Sequence, residues 1–319
     1  MKGLLAVYRK ELADQFSSYR FMILFALIAM VSLITTYMAG ISLRESLEGT
    51  VKPKFVFLML FNTTGALFSL VQFVAFFGPL IGLVMGFDAI NRERAQGTLI
   101  KIISQPIYRD AVINGKFLAG VTTITIMLAA IVLTITGFGL TLLGIVPGVE
   151  ELARLLIYLI ISICYISFWL GVAILFSIVF KSVATSALAA VALWIFLSFF
   201  VSLGASVLAN AVASSHDNNQ ASTELLLKRA KLKENISLLS PMVLYSNASA
   251  TIIDPMRNTT KSLVLMGPLE RLSSSRFQNP LSLDQSVLVV YPHLVALVAI
   301  TLLCFAISYL VFMTQEIRS

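Results

Sequence analysis

Along this chain the polar positions do not alternate with apolar ones at the period of a soluble helix or strand. They gather into blocks between long apolar runs. Runs at about 21–41, 66–87, 117–146, 155–180, 183–209 and 293–313 each supply close to the 20 residues that a helix needs to cross a hydrocarbon core of roughly 30 Å. The pattern predicts an all-α polytopic membrane protein with six transmembrane helices. Four pieces follow in order: 1–20, 21–209 with a polar island at 88–116, 210–291, and 292–319.

Residues 1–20 place Leu4, Leu5, Tyr8, Leu12 and Phe16 near one helical face and most charges elsewhere. That spacing predicts an amphipathic helix lying at the membrane interface. Acidic residues interrupt the polar leader and no small-residue cleavage site stands out, which argues against a cleaved signal peptide. The stretch 55–87 is too long for one straight span, so its beginning, with Asn62, is expected to lie at the interface or re-enter. Gly78, Gly82 and Gly86 form a small-residue stripe that lets another helix approach closely, read as helix packing. The threonines of 117–146 are read the same way. Residues 210–291 form the largest polar segment, a large external loop between the fifth and sixth spans. Within it Leu225, Leu232, Ile236 and Leu239 share a face and predict an amphipathic helix ending before Pro241.

Composition fits a bilayer protein: 58% of residues are hydrophobic, 12% are charged and the mean hydropathy is +0.91. Soluble domains carry about a quarter charged residues. The net charge of +7 comes from basic residues at the ends of apolar runs, where they suit anionic headgroups and set topology, so no nucleic-acid partner is needed. Counted over short segments, Lys2, Arg9, Lys10, Arg20, the island, Lys181 and Arg318 stand on one side, against Arg44, Lys52, Lys54 and Arg154 on the other. The positive-inside tendency then predicts a multi-pass protein with both termini cytoplasmic. The two cysteines, Cys164 and Cys304, both lie in apolar runs and read as small buried hydrophobes.

The island is the most structured of the polar blocks. It carries Arg92, Arg94, Lys101, Arg109 and Lys116 between runs without charge. Asn91–Gln96 is a good helix former, Gly97 can end that helix in a left-handed conformation, Thr98 can cap a new turn, and Pro106 fits the first turn of another helix. Glu93-x-x-x-Gly97-Thr98-Leu99, then Ser104-Gln105-Pro106, Arg109 and Gly115-Lys116, resembles the first cytoplasmic loop of type-2 ABC transporter permeases. The resemblance implies a permease, an exporter in direction, that pairs with a second permease chain in a homo- or heterodimer and docks on a separate cytoplasmic ATPase subunit. It further implies the cell membrane as location, a coupling role for Glu93, Gly97, Thr98, Pro106 and Arg109, and ATP with magnesium bound in the ATPase. In it, Glu93 and Arg109 pair with charges on the ATPase. The large outer segment is similar to that of the subgroup resembling the permease of nitrous oxide reductase maturation.

Chemistry-bearing patterns are sparse. No G-x-x-x-x-G-K-[ST] run occurs, so this chain carries no phosphate loop of its own. No catalytic residue or metal ligand is assigned: His216 and His293 are far apart, and no acidic or histidine pair of a membrane hydrolase is present. An ion-coupled secondary transporter would want charges within its spans, and these have none away from their ends. That alternative and a non-transport scaffold or receptor stay beside the permease reading.

Overall fold

A computed structural model describes residues 2–47, 55–62, 69–105, 107–144, 146–214, 231–255 and 281–315. Lys52, Lys54, Pro106, His216, Leu225 and Arg318 lie outside the described residues. The described elements are helical: α1 (Lys2–Phe16), α2 (Tyr19–Leu47), α3 (Val56–Asn62), α4 (Leu70–Gly86), α5 (Asn91–Ala95), α6 (Thr98–Ile103), α7 (Arg109–Leu143) and α8 (Val149–Val179). Next come α9 (Val183–Ile195), a π-helical turn (Phe196–Phe200) and α10 (Val201–Ser214), then α11 (Lys231–Ser237), α12 (Pro241–Ile253) and α13 (Leu283–Thr314). Among the described residues six helices are long and apolar enough to span a membrane: Tyr19–Glu45, Leu70–Ala95, Arg109–Leu142, Val149–Val179, Val183–Ala211 and Leu283–Thr314. The chain is thus an all-α polytopic membrane protein.

Most of these helices outrun the hydrocarbon. At 1.5 Å per residue the 35 residues of α7 extend about 52 Å against a core of about 30 Å, so α7 projects well past it. Arg109, Asp110 and Lys116 stand in its first turns and mark the island end as the projecting one.

The centre of the bundle is α8, whose buried face runs from Leu155 through Tyr165 and Trp169 to Ile178. Packing there is close because α4 presents glycine to it. A Cβ on Gly82 would stand 2.6 Å from the Ile166 carbonyl oxygen and 2.8 Å from the Leu170 nitrogen, and one on Gly86 would meet the Ala173 Cβ at 2.7 Å. At Gly78 the nearest atom is on the Ile166 side chain, 3.2 Å away. The stripe is therefore a seam within one chain, between α4 and α8. On another side Phe117 of α7 meets Phe305 of α13 with ring centroids 4.5 Å apart.

The polar segment between the fifth and sixth spans holds an element that its composition conceals. Every residue of α12 is buried, packed against α8, α13, α4 and α3. At 13 residues it is about 20 Å long, too short to cross, and it bends by 106° from α11. Its C-terminal end is marked by the Ile252 carbonyl, which meets Arg154, and its other end lies deeper in the bundle, with Tyr245 stacked on Tyr165 at 4.4 Å. The pair α11–α12 is thus a sharply bent helical pair seated within the bundle. Polar residues are tolerated there because they bond inward: Ser249 donates to the Tyr245 carbonyl, Thr251 to that of Asn247, and Ser162 and Tyr245 share a hydrogen bond of 3.0 Å.

Candidate functional site

The island folds as two short helices, α5 and α6, joined through Gly97. Gly97 has φ +67°, the left-handed conformation that glycine adopts without steric cost, and a Cβ there would meet nothing within 4 Å. Any penalty for a side chain at this position would therefore come from the backbone alone. The Thr98 hydroxyl donates to the Glu93 carbonyl at 3.2 Å, closing the corner from the far side.

The rest of the island is held by α8 and the chain that follows it. Ser177 Oγ accepts from the backbone N–H groups of Ile90 and Asn91 at 2.8 and 3.1 Å, satisfying donors that a helix start leaves open. Ser186 donates to the Phe87 carbonyl at 2.8 Å, and the buried Asn91 amide bonds the carbonyls of Phe87 and Ser182. Gln315, just past α13, takes Arg94 on its side-chain oxygen at 2.6 Å and Arg109 on its carbonyl at 2.9 Å. Arg109 also lies over the Phe312 ring, 5.7 Å from its centroid.

Beneath the corner sits a charge quartet. Lys116 on α7 is buried and donates at 2.9 Å to both Glu11 of α1 and Glu93 of α5. Lys10 of α1 bridges the same two carboxylates at 2.9 and 3.2 Å. Two cations and two anions balance, which removes the large cost of burying an unpaired charge. Glu93 is thus directed inward to lysines of its own chain, and Arg109 to Gln315 and Phe312.

The quartet explains how α1 docks. Tyr8 donates to Thr122 at 3.1 Å, Thr123 donates to Gln15 at 2.6 Å, and a Cβ on Gly115 would meet Val7 at 2.8 Å, so successive turns of α1 step along α7. The docked face carries the buried Val7 beside Tyr8, Glu11 and Gln15, while Leu5 is exposed. Burial would raise the Glu11 carboxyl, but Lys116 and Lys10 beside it outweigh burial and hold it below the ordinary 4.5. Burial likewise opposes the Lys10 charge, and Glu11 and Glu93 outweigh it and raise the ammonium above its ordinary 10.5. A lowered carboxylate stabilises above its unfolded value and loses that contribution as pH falls through the folded one, whereas a raised ammonium keeps its contribution up to its unfolded value and loses it above. The α1 anchor should therefore hold from about pH 5 to 10 and loosen on acidification below 4.5. Thiol reactivity of a Val7→Cys variant free of Cys164 and Cys304, with the new thiol buried in the α1–α7 contact beside Gly115, measured against pH, checks this.

A second buried polar hub lies at the opposite end of α8. Arg154 is fully buried and bonds Glu150 at 3.0 Å, the carbonyls of Ile252 and Leu281 at 3.2 and 2.7 Å, and Ser286 at 3.0 Å. Its guanidinium also lies over the Phe55 ring at 5.3 Å. Glu151 accepts from the N–H groups of Phe57 and Gly148, and Asn62 donates to Asp254 at 3.2 Å. These bonds tie α3, α8, α12 and α13 into one cap. In the sequence Arg154 is simply one basic residue of a short turn; the i,i+4 spacing to Glu150 is the one signal it gave.

A six-span helical bundle with a structured polar loop defines a multi-pass membrane protein. Its sequence matches the profile described as ABC-2 family transporter protein over residues 5–317, and the chain belongs to that family, whose members are membrane permeases of ABC transporters. It is also similar to the probable ABC transporter permease protein NosY of Pseudomonas aeruginosa, 35% identical over 85 residues, which cover 26% of this chain and 29% of that one. The alignment thus spans under a third of the relative's length.

Proposed function

We propose that this chain is the permease subunit of an ATP-driven exporter and that the island carries force to it from a separate cytoplasmic ATPase subunit. The observation that carries the reading is the island's construction. Its inner side is anchored to α1, α7, α8 and the residue after α13, while Arg92, Gln96, Gly97, Ile100 and Lys101 are left on an exposed face. A loop fastened to so many helices and still presenting a mixed polar and apolar face is suited to receive a partner and move the bundle. On this reading ATP and magnesium sit in the partner, both termini of this chain are cytoplasmic, the membrane is the cell membrane, and a second permease chain completes the path. The NosY similarity supports placing it near the permeases of nitrous oxide reductase maturation. An ion-coupled carrier gains no support from spans that keep their charges at the ends.

The test is a shape change at Gly97. Left-handed backbone costs an L-residue roughly 1–2 kcal/mol, more for a β-branched side chain and less for Asn. In a reconstituted permease–ATPase complex, Gly97→Val is expected to lower permease-stimulated ATP hydrolysis at least tenfold with permease abundance unchanged, and Gly97→Asn to retain most of it. Equal activity in the Val variant would sink the coupling role of the corner.

A further inference from the structure

A cavity of about 810 Å³ opens between the α1–α2 turn, the end of α4, the island and α7. Its two ends differ in character. One is walled by Arg20, Arg92, Lys101, Gln96 and Gln105; the other by Val84 and Met85 of α4 with Leu170 and Ile174 of α8. Leu170 and Ile174 stand 9 and 5 residues before the end of α8, about 14 and 8 Å into that span. Both are only 1% exposed and close the cavity's floor, so its accessible apolar wall is the half-buried Val84 and Met85.

The charges at its mouth are unequally used. Glu11 and Glu93 are committed to Lys116 and Lys10, Asp14 pairs with Lys10 at 3.4 Å, and Asp88 accepts Arg20 at 2.5 Å with Arg92 at 3.7 Å. Arg20 binds Asp88 through one Nη, which leaves its other N–H groups available, and Arg92 makes only the longer contact. Lys101 is exposed and has no carboxylate partner among the described residues. What remains on offer is donor capacity: two guanidinium forks, one ammonium and two side-chain amides, converging on one opening. Guanidinium groups suit the planar oxygen pairs of phosphate.

We infer that this cavity holds a phospholipid of the adjoining leaflet, its phosphate bound by Arg20, Arg92 and Lys101 and its chains passing Val84 and Met85. A soluble anion would satisfy the charged end and leave the apolar end wet; a neutral lipid would satisfy the apolar end and leave the cations bare. A phosphate carried on acyl chains satisfies both, and cations near a membrane surface are each attracted to anionic headgroups by about 1 kcal/mol. The volume falls in the range of about 300–1,000 Å³ common to small-molecule sites. The lipid would brace the α1–α2 turn against the island, and so sits where it would tune how freely the island moves.

Native mass spectrometry of the full chain in detergent tests this with three probes: phosphatidylglycerol, diacylglycerol and inorganic phosphate. Phosphatidylglycerol should be retained at least tenfold better than diacylglycerol, and millimolar inorganic phosphate should not displace it. An Arg92→Ala/Lys101→Ala variant should lose retention tenfold, and Met85→Trp, which fills the apolar end without touching a charge, should lose it as well. Equal retention of diacylglycerol, displacement by inorganic phosphate, or unchanged binding in Met85→Trp would each overturn the proposal. Should the double variant fail to fold, the Met85→Trp result decides alone.

Discussion

Arg154→Ala is expected to be among the most destabilising single changes in this chain, with a loss on the order of 3–5 kcal/mol, because it empties the centre of a buried ion-pair network. Removing the guanidinium leaves two carbonyls, Ile252 and Leu281, and the Ser286 hydroxyl without their donor, while the Glu150 carboxylate, 36% exposed, turns to water. Each buried group so orphaned costs about 1–3 kcal/mol. The damage should spread to α12, since Arg154 grips the carbonyl at its C-terminal end, and from there to the start of α13. Arg154→Lys keeps the charge but has no planar fork to reach four partners, so it should fall between wild type and Ala. Thermal unfolding of the purified chain gives the ranking. Thiol labelling of Ala248→Cys, in a background free of Cys164 and Cys304, reports whether α12 has come loose. An Arg154→Ala chain with wild-type melting and an unreactive Cys at 248 would show that the outer cap does not depend on this residue.

Lys116→Met should have the next largest effect. It leaves Glu11 and Glu93 buried with Lys10 as their shared cation, at a cost of about 3 kcal/mol. Glu93→Gln should cost a similar amount by leaving Lys116 with Glu11 alone. The double variant, which keeps the Lys10–Glu11 pair, should cost little more than either single one, and the shortfall from additivity measures the coupling across α1, α5 and α7. Strict additivity would mean that the two side chains act independently and that the quartet is not what fastens α1 to the island.

Much of the architecture was legible because bilayer thickness imposes a length that composition reveals directly: six apolar runs became six spanning helices. The corner at Gly97 was legible too, since a glycine between a helix former and a threonine is a local signal with a local cause. What stayed hidden depends on contacts distant in sequence. Lys116 and Glu11 are 105 residues apart, and nothing near either says that a lysine at the edge of a span is buried between two acids. The same holds for Arg154, whose partners at Ile252 and Ser286 come from the far end of the chain. The helix α12 was concealed by averaging: Ser246, Asn247, Ser249 and Thr251 lower the hydropathy of its 13 residues, yet the helix is buried, with Ser249 and Thr251 bonding its own carbonyls and Tyr245 bonding Ser162 of α8. The positive-inside tally treats every Lys and Arg as a topological marker, and so could not separate Arg94 and Arg109, which clamp Gln315, from Lys101, which faces outward.

The exposed face of the island is proposed as the surface on which a nucleotide-hydrolysing subunit engages. A photo-activated cross-linker placed at Lys101, and in a second chain at Val146 near the opposite ends of the spans, tests it most directly in cells that contain the whole complex. From Lys101 the account predicts cross-linking to an ABC ATPase subunit, identified by mass spectrometry, with a yield that changes when ATP is trapped in the complex; from Val146 it predicts no such product. An ATPase captured from Val146, or none captured from Lys101 while the complex is intact, would contradict it.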